Sequence, residues 1–238
     1  MKKGRETCKI SFFYVMILPR KKRKEGLVMS KLYFRYGAMN CGKSSLLMQV
    51  AFNYNEKGRR VVIIKSSIDT KADNFLSSRI GLKRKVDILL NPKESLKNYF
   101  YDWKVDVSCI LVDEAQFLTK AQVEELWYTA KILDIPVICY GLRTDFQSNL
   151  FEGSKRLFEL ADEVEELVTI CKCGKRAKFN ARFVDGKFTL EGNSVLIDGS
   201  KANVTYEPMC GACYLREKEK YQKQEEDWEN TRQVKMDL

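Results

Sequence analysis

The chain has 238 residues, of which 45% are hydrophobic and 31% are charged, so it holds enough apolar side chains for a folded core. Its formal net charge is +10, but residues 1–28 carry nine Lys/Arg and two Glu, a net of +7, and residues 29–238 carry the remaining +3. This mildly basic body does not favour a nucleic-acid partner. No apolar run reaches the length of a membrane span, so we expect no membrane partner either.

Residues 1–28 differ from the rest of the chain. An apolar run from Ile10 to Leu18 is followed by the basic cluster Arg20–Lys24. A secretory signal peptide has a small-residue cleavage site after its apolar run, and here the basic cluster takes that place. We therefore expect an N-terminal extension that is disordered or translated from upstream of a start at Met29. A short membrane-surface anchor is the functional alternative.

From Met29 onward, apolar strands alternate with helices, which predicts an α/β fold with a parallel sheet. The strands are almost continuously apolar, as expected for a sheet covered by helices on both faces. We assign residues 29–167 to this domain, of the P-loop (RecA-like) class. The predicted strands are 32–36, 60–64, 86–90, 109–112 and 136–140, and the predicted helices are 45–56, 119–133 and 152–160.

A phosphate-binding loop follows the first predicted strand. The segment Gly-Ala-Met-Asn-Cys-Gly-Lys-Ser matches the P-loop pattern G-x-x-x-x-G-K-[ST], between a strand and a helix as that motif requires. Backbone N–H groups and the helix N-terminus favour anions, the lysine reaches the β/γ-phosphates and the serine hydroxyl can ligate Mg²⁺. The predicted ATP-binding residues of the loop are Gly37, Ala38, Met39, Asn40, Cys41, Gly42, Lys43 and Ser44.

An acidic pair follows the strongest predicted strand, 109–112. Asp113 occupies the position of a Walker B acid and would hold Mg²⁺ together with Ser44. Glu114 is then free to act as general base, a role that falls to a carboxylate because the chain has no histidine. Gln116 would orient the metal or a phosphate. A helicase would need a second such core, for which 238 residues leave no room.

A smaller, turn-rich segment begins near Val168. Its cysteines have the spacing C-x-C…C-x₂-C, and four thiolates satisfy tetrahedral zinc, so we predict a structural zinc site in a zinc-ribbon-like domain, 168–215. Two pairs of structural or redox thiols are the alternative. Residues 216–238 form a charged tail, either a solvated helix or disordered. The predicted zinc ligands are Cys171, Cys173, Cys210 and Cys213.

Together these motifs resemble the type II thymidine kinases over about residues 31–215. The resemblance extends to Asp113–Phe117, Tyr140–Phe146 and Tyr206–Cys213. It implies transfer of a phosphoryl group from ATP to the 5′-hydroxyl of thymidine, and of deoxyuridine, in nucleotide salvage. It also implies a cytoplasmic homotetramer with bound Mg²⁺ and structural Zn²⁺.

The resemblance also implies roles for individual residues. Glu114 would take the proton of the 5′-hydroxyl, and Lys71 would contact the ATP phosphates at a position where the family usually has Arg. Main-chain groups of a lasso loop would read the base edge, with Tyr206 packed against thymine. The implied substrate-binding residues are Met39, Phe117, Leu142, Phe146, Val195, Leu196, Ile197, Asp198, Gly199 and Tyr206.

Two other functional classes fit parts of this pattern. One is a P-loop ATPase that acts on nucleic acid through a zinc ribbon, and the other is a zinc-stabilised binding protein with a vestigial P-loop. The small charge of residues 29–238 counts against both, because no basic face interleaved with aromatic residues is evident.

Overall fold

The structure, a computed structural model, describes residues 29–69, 74–192 and 203–236, with side chains described as far as residue 227. The expectations for residues 1–28, for Lys71 and for Val195 to Gly199 therefore lie outside the described residues. The helices are α1 (Lys43–Glu56), α2 (Phe100–Asp106), α3 (Lys120–Ile132), α4 (Glu152–Leu160) and α5 (Gly211–Met236). The strands are β1 (Leu32–Tyr36), β2 (Arg60–Ser66), β3 (Phe75–Ser77), β4 (Lys83–Lys85), β5 (Ile88–Leu90), β6 (Val107–Asp113), β7 (Val137–Gly141), β8 (Glu163–Glu166), β9 (Thr169–Ile170), β10 (Arg176–Ala177), β11 (Phe179–Val184), β12 (Lys187–Thr189) and β13 (Val204–Met209).

A six-stranded parallel sheet with the order β5-β2-β6-β7-β1-β8 forms the centre of the molecule. This confirms the predicted α/β fold with a parallel sheet. Because all six strands run the same way, the loops after β1, β6 and β7 emerge at one edge, where ligands bind in open α/β sheets. Each predicted strand is present: the bounds of β1 match the prediction, and those of the others differ by one or two residues. Strand β8 was not predicted.

Side chains alternate across the sheet, and both faces are buried. In β2, Val62 and Ile64 join a core cluster with residues of α3 and α4. Val61 and Ile63 of the same strand join a second cluster with residues of α1 and the β3–β4 hairpin. Burying apolar area on both faces stabilises the fold by about 25 cal/mol per Å², which explains why these strands read as continuous apolar runs.

The part of the chain after β8, called here the C-terminal module (β9 to β13 and the start of α5), is built differently. It contains the antiparallel pair β9–β10 and the antiparallel sheet β12-β11-β13, with α5 packed on β11 and β12. Its own apolar cluster includes Ala181, Phe188, Met209 and Tyr214. Helix α5 passes without a break through the predicted boundary at 215/216, so the charged tail is helical as far as Met236. In the described part of the chain, no helix is long and apolar enough to cross a membrane.

Helix α3 begins at a capping box, which satisfies N–H groups that have no partner inside the helix. The Thr119 hydroxyl accepts the N–H of Gln122 at 3.3 Å, and Gln122 Oε1 accepts the N–H of Thr119 at 3.1 Å. Thr119 is therefore the N-cap of α3.

We expect Thr119→Ala to lower the free energy of unfolding by about 1 kcal/mol, because the hydroxyl acceptor is lost. Thr119→Ser keeps that acceptor and serves as the matched control. Urea denaturation followed by circular dichroism measures both. Equal losses in the two variants would show that the cap does not stabilise α3.

Candidate active site

The P-loop joins β1 to α1 and has the backbone that its sequence requires. A Cβ on Gly37 would lie 2.5 Å from the Cys41 sulfur and 2.6 Å from the Leu167 carbonyl oxygen, so only glycine fits there. Gly42, the N-cap of α1, has φ 80°, a left-handed value that favours glycine. The loop therefore directs N–H groups and the N-terminus of α1 towards the place where an anion would bind.

Two side chains of the loop have positions suited to phosphate and metal. Lys43 is buried, and its ammonium donates to the Ala38 carbonyl at 3.1 Å, which holds the charge inside the loop. The Ser44 hydroxyl donates to Asp113 Oδ2 at 3.0 Å. This hydrogen bond joins the start of α1 to the end of β6 and brings the two predicted magnesium ligands together.

Asp113 is a buried carboxylate with unused hydrogen-bonding capacity. Only 3% of the residue is exposed, and its Oδ1 atom has no hydrogen-bond partner among the described residues. Burial, and then the charge of Glu114, raise the pKa of Asp113 to about 7, against the lowering effect of Ser44 and Lys43. The oxygen atoms of Asp113 and Ser44 are ligands that suit a hard divalent cation such as Mg²⁺.

Glu114 differs from its neighbour in conformation and surroundings. It has φ 50° and ψ 40°, a left-handed backbone that costs a non-glycine residue about 1–3 kcal/mol. Gln116 Nε2 donates to Glu114 Oε2 at 2.5 Å, and Gln116 Oε1 accepts the N–H of Leu142 at 3.0 Å. Gln116 thus fixes the Glu114 carboxylate and ties it to the loop after β7.

Close backbone packing supports this turn. A Cβ on Gly141 would lie 2.9 Å from Gln116 Oε1, and a Cβ on Gly153 would lie 2.5 Å from the Ala115 carbonyl oxygen. The start of α4 therefore sits directly against the turn that carries Glu114. These two glycines position the carboxylate without touching it.

These groups share one open cleft of about 240 Å³. The P-loop, Asp113 and Glu114 line it, together with Met39 and Leu142, two predicted substrate residues. Lys65, Asp69 and the β3–β4 hairpin line it as well. The lining residues of the hairpin are Phe75, Leu76, Ser77, Ser78, Arg79 and Ile80.

The remaining predicted substrate residues lie away from the described lining of this cleft. Phe117 packs edge-on against Phe151, with ring centroids 5.7 Å apart. Phe146 is 2% exposed and lies under the Arg182 guanidinium, 3.5 Å from the ring centroid. Tyr206 is half-buried on β13, paired in register with Arg182. Their contact with a nucleoside stays a prediction.

The four predicted zinc ligands come together in the C-terminal module. The sulfur atoms of Cys171, Cys173, Cys210 and Cys213 all lie within 4.8 Å of one another. Gly174, at φ 83°, makes the turn that brings the first pair into place. Tetrahedral zinc with thiolate bonds near 2.3 Å places sulfur atoms about 3.8 Å apart, so the cluster fits that ion.

Hydrogen bonds within the cluster shift the pKa values of two of these thiols. Burial opposes ionisation of Cys171, but backbone hydrogen bonds from Cys173 and Cys210 lower its pKa to about 6. Hydrogen bonding with Cys173, and then with the other two thiols, raises the pKa of Cys213 to about 12. Four thiolates at this spacing repel one another unless a cation neutralises them, as a zinc ion would.

Comparison with known proteins assigns the chain to a family. The family model described as thymidine kinase matches residues 30–214. The chain belongs to the thymidine kinase family. The match spans the central sheet and the C-terminal module, and so includes the cleft and the cysteine cluster.

Similar proteins agree with this assignment. The thymidine kinase of Streptococcus thermophilus strain CNRZ 1066 is 44% identical over 183 residues, which cover 74% of this chain and 91% of that protein. The thymidine kinases of Streptococcus agalactiae serotype Ia and Lactococcus lactis are each 42% identical over 190 residues, covering 79% of this chain and 98% of theirs. The Legionella pneumophila ATPase DotB has a TM-score of 0.36 and 15% identity, over 63% of this chain and 44% of that chain.

Membership of the thymidine kinase family does not favour the alternative of an ATPase acting on nucleic acid. It also directs attention to cleft residues that sequence reasoning did not select. Lys65 is 1% exposed, forms an ion pair with Asp69 at 3.1 Å, pairs in register with Asp113 and lines the cleft. The sequence signal that could have identified Lys65 is a lysine at the end of an otherwise apolar strand. Asn180 was also missed, because alternating polar residues on β11 suggest a solvent face.

The acidity of Asp113 predicts a pH dependence of stability in metal-free protein. The folded-state pKa of about 7 exceeds the unfolded value of about 3.9, so the folded state binds more protons between those pH values. Stability is therefore lost as pH rises from about 4 to 7. Asp113→Asn removes this loss, so we expect the variant to unfold at a higher temperature than the original chain at pH 8, with the difference shrinking towards pH 4.

Asp162→Asn is the matched control with the opposite sign. Burial opposes ionisation of Asp162, but hydrogen bonds from Lys131 and from the N–H of Leu32 lower its pKa. Removing this charge is expected to destabilise the protein at neutral pH and to have little effect at low pH. If the melting temperatures of Asp113→Asn and the original chain, measured without divalent ions, differ by the same amount from pH 4 to 8, the raised pKa of Asp113 is contradicted.

Proposed function

We propose that this protein is a thymidine kinase that transfers the γ-phosphoryl group of ATP to the 5′-hydroxyl of thymidine, and of deoxyuridine, in nucleotide salvage. The observation that carries the proposal is that a P-loop and a fixed carboxylate, Glu114, line the same cleft. The chain that holds this cleft belongs to the thymidine kinase family. The cleft has a cationic side for a phosphate donor and a basic oxygen for a hydroxyl acceptor.

The donor side would bind ATP through the P-loop. Backbone N–H groups of the loop and the Lys43 ammonium face the phosphates, and Lys71 adds a second cation. Ser44 and Asp113 would hold Mg²⁺, whose charge, when bound, offsets the negative charge of the phosphates. The unpartnered Oδ1 of Asp113 supports this assignment, because a buried carboxylate oxygen otherwise lacks compensation.

Glu114 would act on the acceptor. The 5′-oxygen forms a bond to the γ-phosphorus, the bond from that phosphorus to the bridging oxygen breaks, and ADP leaves. Glu114 takes the proton of the 5′-hydroxyl. Its hydrogen bond with Gln116 at 2.5 Å holds the carboxylate in place before the substrate arrives. Such positioning, together with electrostatic stabilisation, accounts for most of the rate enhancement in phosphoryl transfer.

The nucleoside would occupy the side of the cleft next to Met39 and Leu142. A neutral base requires apolar faces and a few hydrogen bonds, which side chains and main-chain groups can supply. Phe117, Phe146, Tyr206 and main-chain groups of 195–199 are proposed to complete the pocket. Because a methyl group changes binding in an apolar pocket by only about 1–3 kcal/mol, deoxyuridine is proposed as a second acceptor.

The C-terminal module would carry a structural zinc ion on its four cysteines, with no ligand position left for water. We further propose that the protein acts in the cytoplasm as a homotetramer, as the resemblance implies. Absence of histidine leaves the zinc site with thiolates, which need a reducing compartment.

We expect Glu114→Gln to lower kcat by about 10²–10⁴-fold, because the amide cannot accept the proton. ATP binding should persist, since the substitution keeps an oxygen for Gln116. The assay incubates protein with ATP, Mg²⁺ and each deoxynucleoside in turn, and monophosphate is measured by chromatography, with ATP affinity measured by calorimetry. Glu163→Gln, on the exposed sheet edge, is the matched control.

Two results would count against this proposal, and they differ in meaning. Normal turnover by Glu114→Gln would remove Glu114 from the role of base but leave the activity intact. Absence of monophosphate from the unsubstituted chain with every deoxynucleoside would refute the kinase function itself, and ATP hydrolysis stimulated by DNA or RNA would favour the nucleic-acid alternative.

Zinc removal provides a separate test. We expect about one zinc per chain, and we expect chelation to unfold the C-terminal module and weaken thymidine binding. Cys213→Ser should lose zinc, whereas Cys109→Ala, at a buried cysteine of β6, should retain it. Metal analysis and circular dichroism measure these outcomes. Intact folding and thymidine binding after chelation would refute the four-cysteine site.

A further inference from the structure

Strand β11 of the C-terminal module presents a buried polar face. Asn180 and Arg182 are two residues apart, so their side chains share one face of the strand, and they are 4% and 1% exposed. Ala181, on the opposite face, joins the apolar cluster that includes Tyr214 of α5. The polar face is therefore not a solvent face, because it lies against loops of the P-loop domain.

The Asn180 amide bonds to two of these loops at once. Its Oδ1 accepts the N–H of Met39, in the P-loop, at 2.8 Å. Its Nδ2 donates to the carbonyl oxygen of Thr144, in the loop after β7, at 3.1 Å. An N–H on one side and a carbonyl on the other fix the orientation of the amide, because each needs the opposite end.

The two loops belong to different halves of the proposed site. Met39 lies in the phosphate-binding loop, whose N–H groups must keep their directions to receive ATP. Thr144 lies between Leu142 and Phe146, the proposed acceptor residues of the loop after β7. The start of this loop is tied to Glu114 through Gln116, which accepts the N–H of Leu142. The one Asn180 side chain thus connects the donor side to the acceptor side.

Neighbouring contacts make this connection rigid. The Arg182 guanidinium stacks on the Phe146 ring at 3.5 Å, and the Tyr214 hydroxyl donates to the Phe146 carbonyl at 2.5 Å. Tyr214 directly follows Cys213, one of the clustered cysteines. The loop after β7 is therefore held by two elements of the C-terminal module, β11 and the start of α5.

We propose that Asn180 is a positioning residue through which the C-terminal module sets both substrate sites, with its Oδ1 holding the ATP loop and its Nδ2 holding the acceptor loop. The part of this inference that concerns the nucleoside site rests on the proposed function. It gives the C-terminal module a part in ATP binding, in addition to its proposed part in covering the nucleoside.

The two ends of the amide can be separated by substitution. Asn180→Asp keeps an oxygen for the Met39 N–H but loses the donor to Thr144, and it places a second oxygen against that carbonyl. We expect KM for thymidine to rise about tenfold while KM for ATP stays within about twofold. Asn180→Leu loses both bonds, so both KM values should rise about tenfold.

Gln147→Ala is the matched control. Gln147 Nε2 donates to the Leu190 carbonyl at 2.6 Å, so this bond also joins the loop after β7 to the C-terminal module, but it does not reach the P-loop. Both KM values of this variant should stay within about twofold of those of the unsubstituted chain. Zinc content and melting temperature of each variant are measured alongside, to separate positioning from loss of folding.

The outcomes decide between positioning and a purely structural role. A parallel change of the two KM values in folded Asn180→Asp, or unchanged values in folded Asn180→Leu, would overturn the proposal. If Asn180→Leu does not retain zinc, the ratio of the two KM values in Asn180→Asp decides alone. If the unsubstituted chain forms no monophosphate, the proposed function fails, and the affinity of a non-hydrolysable ATP analogue still tests the ATP half. That affinity should fall about tenfold in Asn180→Leu and persist in Asn180→Asp. An unchanged affinity in both variants would overturn the inference.

Discussion

The site depends on a carboxylate that the fold has removed from water. Asp113 ends β6, the strand in the interior of the sheet between β2 and β7, and burial raises its pKa to about 7. A single hydrogen bond, from the Ser44 hydroxyl, joins it to the P-loop. A buried charge is costly unless a cation or a proton compensates it. The cost of ionising Asp113 therefore falls on the fold unless a proton or a divalent cation offsets it, and that cost follows from the position of one carboxylate.

The next residue has the same chemistry and a different environment, and the difference comes from the backbone. The left-handed turn at Glu114 directs its carboxylate into the cleft, whereas Asp113 stays in the sheet. The strain of that turn is offset by close packing at Gly141 and Gly153, where a Cβ would collide with the turn. Two adjacent carboxylates thus have separate surroundings, with Asp113 bonded to Ser44 of the P-loop and Glu114 bonded to Gln116. Gln116 completes the arrangement by joining Glu114 to the loop after β7.

The sequence predicts those parts of the molecule that rest on local rules. The P-loop and the interior strands are predictable because glycine, lysine and serine at fixed spacing, and continuous apolar runs between helices, each have one common structural solution. The edge strand Glu163–Glu166 is not predictable in this way, because it pairs with β1 through its backbone and carries almost no apolar residues. Asn180 is missed for a related reason. Polar residues that alternate along a strand predict a solvent-exposed face, unless another part of the chain covers that face. Such features depend on contacts across the chain, 141 residues apart in the case of Met39 and Asn180.

The C-terminal module brings these arguments together. Its apolar cluster is small, and small domains usually need a metal or a disulfide to remain folded. A zinc ion on the four clustered thiols would supply such a staple, directly beside Tyr214 and at one end of the sheet that contains β11. The buried polar face of β11 contacts the P-loop and the loop after β7, and β11 pairs with β13 as far as Phe179 and Met209, so Cys210 directly follows the last pair. The cysteine cluster is therefore connected to the cleft through the backbone of these two strands, although none of its sulfur atoms lies in the cleft lining that the structure describes.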